Sequence, residues 1–273
     1  MTPEDVKSLP DIELDADDQA DRMSAAPQAR FASQPAGSGA RIAATGGRQG
    51  RPVMGPPAHL ESRHPLTPLI EKVASAPAGA LVVRALGELA AASDNAADDR
   101  PFAVAVSALS PKHYLGQTAL LLACIWGRWD RSVCLIDLAS GKRSIEGAVS
   151  STALTLDDAC AKAIDEGRVD GVSTLHPRFP NVGVIRTGQS DPLGLVSSRK
   201  FSPLIDALTQ TFERIVICAP SLDSNFPFLS LSKSTDRLVL SLVKGKSRGA
   251  PLREICEQAM VQGLRPIEAV WYD

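Results

Sequence analysis

This sequence of 273 residues has few aromatic residues, no closely spaced pair of cysteines, no large excess of charge of either sign and no long apolar run. Its five cysteines lie far apart with no Cys-x-x-Cys, which excludes a disulfide framework and a zinc site and favours a reducing cytoplasm. The formal net charge of -2 gives no reason to expect nucleic-acid binding. Since no apolar run approaches the ~20 residues of a membrane-spanning helix, we expect a soluble chain without direct membrane insertion.

The apolar residues that are present indicate the fold class. Hydrophobic residues make up 44% of the chain and aromatic ones only 4%, so the core must be built from Ala, Val, Leu and Ile. Such a core suits strands that are buried on both faces. Strand-like and helix-like segments alternate, which predicts an α/β fold with a mostly parallel sheet sandwiched by helices. We expect strands at 102–108, 132–137, 182–186, 214–219 and 238–243, with a further candidate at 267–271, and helices at 117–128, 155–166, 203–211 and 250–262.

The composition divides the chain into three regions. Residues 1–65 are rich in Ala, Gly, Pro and Ser without helical or strand periodicity, which predicts a disordered, low-complexity tail. Residues 66–95 are expected to form one or two linker helices, interrupted near Pro77, whose apolar face packs on the domain that follows. The α/β domain is expected to span residues 96–273.

The turn after the first expected strand has the features of a phosphate-binding loop. In α/β folds, backbone N–H groups of this turn and of the next helix point at one spot, where phosphates bind. Here the turn reads SPKHYLGQT, from Ser110 to Thr118, and an apolar helix follows. Its length and position match a Walker A loop.

The turn resembles the loop of the cytoplasmic tyrosine kinase domains of bacterial polysaccharide co-polymerases, which act in capsule and exopolysaccharide production. The family pattern is S-P-x-P-G-E-G-K-[ST]. The resemblance continues in order through VCLIDLASGKRS, NVGVIRTGQSDPLGLV, RIVICAPS and TDRLVLSLVKGKS, and covers about residues 78–273. It implies a P-loop NTPase fold like that of the partition ATPases, with ATP and Mg²⁺ as the family's cofactors. The matching loop positions are Ser110, Pro111, Gly116 and Thr118.

Four positions depart from the family pattern where phosphoryl transfer needs charge or close backbone approach. Gln117 replaces the Walker A Lys and Tyr114 replaces a Gly, while Ala139 and Cys218 replace acids of the second and third motifs. A neutral amide cannot supply the charge of Lys, and a thiol is a poor ligand for Mg²⁺. We therefore expect no catalytic residue, no metal site and no resident cofactor. If nucleotide binds at all, the residual site is expected to comprise Ser110, Gly116, Gln117, Thr118 and Asp137.

These observations predict a non-catalytic, kinase-like accessory protein of bacterial exopolysaccharide or capsular polysaccharide biosynthesis and export. Its expected partner is a membrane-embedded polysaccharide co-polymerase or a kinase-like subunit, which would recruit it from the cytoplasm to the inner membrane. Oligomer formation stays open, because Leu81, Arg84 and Gly87 keep only the central Arg of the family's Glu-x-x-Arg-x-x-Arg motif.

Two other functions stay open from the sequence. One is a weak ATPase or tyrosine kinase of the same pathway, in which Thr118 and Asp137 hold Mg-ATP and Lys112 reaches across to replace the missing Lys. The other is a positioning protein of the partition ATPase type. Such proteins need nucleotide-dependent dimers, so the same replacements count against this function.

Overall fold

The structure is a computed structural model and describes most of the chain from residue 70 onward. The described residues are 70, 71, 75, 81–97, 100–108, 115–139, 145, 153–188, 191–221, 231, 233–243, 249–261 and 267–272. The predicted tail at 1–65 lies outside them, as do Ser110, Lys112 and Tyr114 of the loop.

Helices and strands alternate along the described residues, as the sequence predicted. The helices are α1 (Leu81–Ala97), α2 (Leu115–Arg128), α3 (Leu156–Glu166), α4 (Pro192–Ser197), α5 (Phe201–Thr209) and α6 (Gly249–Val261). The strands are β1 (Phe102–Ala108), β2 (Val133–Asp137), β3 (Ser173–His176), β4 (Phe179–Ile185), β5 (Arg214–Cys218), β6 (Arg237–Val243) and β7 (Ile267–Tyr272).

The strands form one seven-stranded sheet in the order β3-β4-β2-β5-β1-β6-β7. All neighbours pair in parallel except β3, which runs antiparallel to β4 at one edge. Every residue of β1, β2, β5 and β6 is buried, which explains their nearly continuous apolar sequences. The predicted α/β fold with a mostly parallel sheet is confirmed.

The two faces of the sheet carry separate apolar cores. Alternate residues of β1 illustrate the division: Phe102, Val104 and Val106 face the core that contains residues of α1 and α2. Ala103 and Ala105 face the opposite core, which contains residues of α3 and α5. Because helices cover both faces of the sheet, polar groups gather at the ends of the strands. None of the described helices has both the length and the hydrophobicity to cross a bilayer.

Two short elements were not predicted from the sequence. Strand β3 has only four residues, too few to show a period of two. Helix α4 has six residues, and its first turn is fixed by Asp191, whose carboxylate accepts hydrogen bonds from the backbone N–H groups of Leu193 and Gly194, both at 3.1 Å.

Helix α1 ends at Ala97, two residues past the region 66–95 in which the linker helices were predicted, and its last part is polar. Distant side chains hold this last part of the helix. Ser93 accepts a hydrogen bond from Arg237 at 3.3 Å, and the Asp94 carboxylate binds two arginines. Tertiary contacts thus override the weak helical propensity of Ser and Asp.

The arginines that bind Asp94 belong to an ion-pair network at the amino ends of the strands. Arg214, at the start of β5, is fully buried, and its Nε lies 2.7 Å from Asp94 Oδ1. Its guanidinium carbon stacks 4.4 Å from the centre of the Phe102 ring. Arg131 lies 3.2 Å from the other Asp94 oxygen and 3.1 Å from Glu213 Oε1. The end of α1 is thereby attached to the starts of β1, β2 and β5.

Candidate functional site

The candidate site lies at the opposite edge, where the carboxyl ends of the central strands meet the start of α2. Asp137 ends β2 and Cys218 ends β5, and the two residues are partners in the parallel ladder. Ser241 of β6 is the ladder partner of Ala108, the last residue of β1. Cys218 and Ala108 belong to the core on the α2 face. Since side chains alternate along a strand, Asp137 and Ser241 share that face with them.

Three of the predicted site residues lie in the first turn of α2. Gly116 is buried and Gln117 is half-buried. Thr118 has no exposed surface, and its hydroxyl lies 3.1 Å from the Ser241 hydroxyl, within hydrogen-bond distance. The Thr118 side chain therefore engages β6, which fixes the start of α2 against the sheet.

Asp137, the fourth described residue of the predicted site, is the last residue of β2, the strand next to β5. It is 1% exposed, and its Oδ1 accepts a hydrogen bond from the backbone N–H of Ala139 at 3.1 Å. Its ladder partner Cys218 is also fully buried. Burial, and secondarily the nearby Asp137 carboxylate, raise the pKa of Cys218 well above its ordinary value. The thiol therefore stays protonated.

Further polar residues at this edge were not singled out from the sequence. Besides Ser241, they are Thr187, whose hydroxyl donates to the backbone carbonyl of Asp137, and Ser107, which donates to the carbonyl of Pro220 at 2.7 Å. A sequence signal existed for two of them. Ser241 interrupts the apolar run LVLSLV, and Thr187 follows directly after the strand that ends at Arg186 in the prediction.

The donor atoms of the described residues at this edge do not fit a Mg²⁺ ion, the metal that the P-loop fold implies. Mg²⁺ requires oxygen ligands in near-octahedral geometry. In the described part of the chain, the Asp137 carboxyl accepts from the Ala139 amide, Thr118 is bonded to Ser241, and the ladder neighbour Cys218 offers only a thiol. Among the described residues, no group of three or more His, Cys, Asp or Glu side chains is placed to hold a metal ion.

Comparisons with known proteins and solved structures show what this fold is similar to. No protein-family model and no curated protein matches the sequence. The fold matches the kinase domain of VpsO, with a TM-score of 0.53 and 23% identity over 70% of this chain and 98% of that one. It also matches the chimerical protein CapA2B2, with a TM-score of 0.58 and 15% identity over 81% and 94% of the two chains.

A third match is the kinase domain of the Escherichia coli tyrosine kinase ETK, with a TM-score of 0.56 and 16% identity over 69% of this chain and 74% of that one. These likenesses define the fold: it is a P-loop NTPase fold of the kind found in bacterial tyrosine kinase domains.

Proposed function

We propose that this chain is a non-catalytic, kinase-like accessory protein of bacterial exopolysaccharide or capsular polysaccharide biosynthesis and export, which acts by binding protein partners. The proposed process is supported by the ordered motifs that resemble those of co-polymerase kinases. It is also supported by the fold that the chain shares with the kinase domains of VpsO and ETK.

The burial of Asp137 beside a thiol is the observation that carries the non-catalytic part of the proposal: Asp137 is 1% exposed, and its ladder partner on β5 is Cys218. Phosphoryl transfer depends on positive charge, from a Lys and from Mg²⁺, placed around the transferred group. At this edge Gln117 is neutral, the Asp137 carboxyl accepts a hydrogen bond from the Ala139 amide, and Thr118 is bonded to Ser241. Because Asp137 and Thr118 are both engaged by groups of the protein, the arrangement favours a scaffold over turnover.

The proposed partner is a membrane-embedded polysaccharide co-polymerase or a second kinase-like subunit, which would recruit the chain from the cytoplasm to the inner membrane. Co-expression of the full chain with such a co-polymerase, followed by detergent extraction and affinity purification, tests this. We expect the two proteins to copurify. As the control, a soluble domain of unrelated fold replaces this chain, and the complex should then be lost.

Calorimetric titration of the full chain with Mg-ATP and Mg-ADP tests the non-catalytic proposal. We expect no binding heat at millimolar nucleotide and no phosphate release. The matched variant is Gln117→Lys/Ala139→Asp/Cys218→Asp, which restores the family's charges on the same scaffold and is expected to gain nucleotide binding. Micromolar binding by the unaltered chain, abolished by Thr118→Ala and accompanied by ATP hydrolysis, would instead support the enzyme.

A further inference from the structure

We infer that a short strap ahead of α1, made of Ile70, Glu71 and Ser75, is releasable: side chains at the turn between β3 and β4 hold it closed, and it opens without unfolding of the sheet. In the sequence the strap lies between the predicted N-terminal tail and α1. Opening it lengthens the free connection ahead of α1. The inference goes beyond the proposed function, because it involves neither nucleotide nor a partner protein.

One apolar side chain anchors the strap. Residues 70, 71 and 75 are helical, and Ile70 is 1% exposed as part of the core on the α2 face. Leu175 of β3 and Phe179 of β4 belong to the same core. Among the described strap residues Ile70 alone is buried, so the apolar area that holds the strap is small. The strap therefore depends on its polar contacts to stay closed.

The polar contacts come from the two sides of the turn between β3 and β4. Glu71 Oε1 lies 3.3 Å from His176 Nε2, and Glu71 Oε2 lies 3.5 Å from Arg178 Nε. Arg178 Nη1 donates a hydrogen bond to the Ser75 hydroxyl at 3.1 Å. We call these three contacts the clasp. The Arg178 guanidinium thus joins two strap residues, four positions apart, to the turn.

The clasp does not require a protonated imidazole. His176 Nδ1 accepts a hydrogen bond from the backbone N–H of Arg178 at 3.1 Å. In the neutral ring the hydrogen is therefore on Nε2, the nitrogen next to the Glu71 carboxylate. The turn itself fixes this tautomer. Glu71 is held by one neutral donor and one cation.

The clasp is exposed enough to be released. The side chains of Glu71 and Arg178 are 42% and 54% exposed. Ion pairs with this exposure contribute little to stability, and salt screens them. The described strap residues are helical and belong to no strand of the sheet, so opening the strap breaks no ladder hydrogen bond. The strap can therefore open while the strands stay paired.

Limited trypsin digestion of the full chain measures the opening. Lys72 lies within the strap sequence and Arg63 lies in the predicted tail, so the rate of cleavage after Lys72, relative to that after Arg63, reports how often the strap is open. We expect slower cleavage after Lys72 in the unaltered chain. Arg178→Gln should raise the ratio about two- to fivefold, the effect of losing an exposed ion pair. This variant leaves the sequence around both cleavage sites unchanged.

Arg168→Gln is the matched control. Arg168 also binds two carboxylates at the surface, those of Glu166 at 3.7 Å and Asp170 at 3.0 Å, but it does so after α3 and not at the strap. This variant should leave the ratio unchanged. High salt should raise the ratio in the unaltered chain and in Arg168→Gln, but not in His176→Gln/Arg178→Gln, which lacks the clasp.

Cleavage after Lys72 as fast as after Arg63 in the unaltered chain would overturn the inference, because the strap would then not be closed. A ratio that Arg178→Gln leaves unchanged, or no cleavage after Lys72 in any variant, would also overturn it. Faster cleavage of Arg178→Gln at every lysine and arginine would mean that the whole domain opens rather than the strap. None of these results bears on nucleotide binding, so the proposed function is decided separately.

Discussion

The amino and carboxyl edges of this sheet hold their polar groups in different ways. At the amino edge, Arg214 and Arg131 share the Asp94 carboxylate, and Arg131 also binds Glu213. At the carboxyl edge the described contacts involve neutral groups: Thr118 pairs with Ser241, and the Asp137 carboxyl accepts from the Ala139 amide. Ion pairs that attach a helix to the sheet are found at the first edge, and hydrogen bonds of neutral groups are found at the second.

The two edges are therefore under different constraints. Charged residues at the amino edge hold α1 on the strands, so their loss would cost folding free energy whatever the chain does. Charges at the carboxyl edge of a P-loop enzyme serve the nucleotide, and a chain that only binds partners can replace them without unfolding. Substitutions at the two edges test this contrast.

Asp94→Asn should give the largest effect. The substitution keeps the size of the side chain but leaves the fully buried Arg214 guanidinium without its carboxylate. Breaking a buried ion pair in this way typically costs about 3–5 kcal/mol of unfolding free energy. Urea unfolding of the full chain measures it.

The control at the same edge is Arg100→Ala, which removes the ion pair between Arg100 and Asp236. The Arg100 side chain is 65% exposed, so its loss should cost no more than about 1 kcal/mol. Equal costs for Asp94→Asn and Arg100→Ala would contradict the idea that a buried network attaches α1 to the sheet.

The same contrast limits what could be predicted from the sequence. Six of the seven strands and the residues Gly116, Gln117, Thr118 and Asp137 could be located, because periodicity and loop motifs are local signals. The bond between Asp94 and Arg214 joins residues 120 positions apart, and Ser241 pairs with Thr118 across 123. Such pairs follow from the order of strands in the sheet, which hydrophobic periodicity does not encode.

The next largest change in unfolding free energy is expected from an alanine substitution at a glycine in a helix. Gly127, near the end of α2, lies so close to β4 that an added Cβ would be 2.5 Å from Val182 Cγ2. Gly127→Ala should therefore destabilise by about 1–3 kcal/mol, as overpacking does. Gly87→Ala in α1 is the matched control, because the nearest atom to its added Cβ is Trp129 Cζ2 at 4.0 Å.

Since Ala is the better helix former, Gly87→Ala should instead stabilise the chain by about 0.5–1 kcal/mol. Chemical unfolding of both variants gives the two signs. Destabilisation by Gly87→Ala as large as by Gly127→Ala would show that the close approach of α2 to β4 is not the cause.

High pH should lower stability through the buried thiols. Burial raises the pKa of Cys124, Cys134 and Cys218, and that of Cys160 to about 11, from the ordinary 9.0. Below pH 9.0 the thiols are protonated whether the chain is folded or unfolded. Above it the unfolded chain loses these protons first, so unfolding becomes easier as pH rises.

The loss approaches about 1.4 kcal/mol per pH unit for each thiol. Unfolding midpoints measured from pH 8 to pH 10 should fall less steeply in Cys134→Ala than in the unaltered chain, because one buried thiol is missing. Parallel slopes for the two proteins would contradict the assignment of the pH dependence to buried thiols.

The coupling between Thr118 and Ser241 should give the smallest effect and tests the carboxyl edge most directly. A double-mutant cycle with Thr118→Val and Ser241→Ala isolates their hydrogen bond from the other contacts of each residue. Because both groups are neutral and buried, we expect a coupling energy of about 0.5–1.5 kcal/mol, the usual net value for one hydrogen bond. The coupling should be the same with and without Mg-ATP. A coupling that disappears when Mg-ATP is added would mean that Thr118 turns to a ligand, and the contrast between the two edges would then fail.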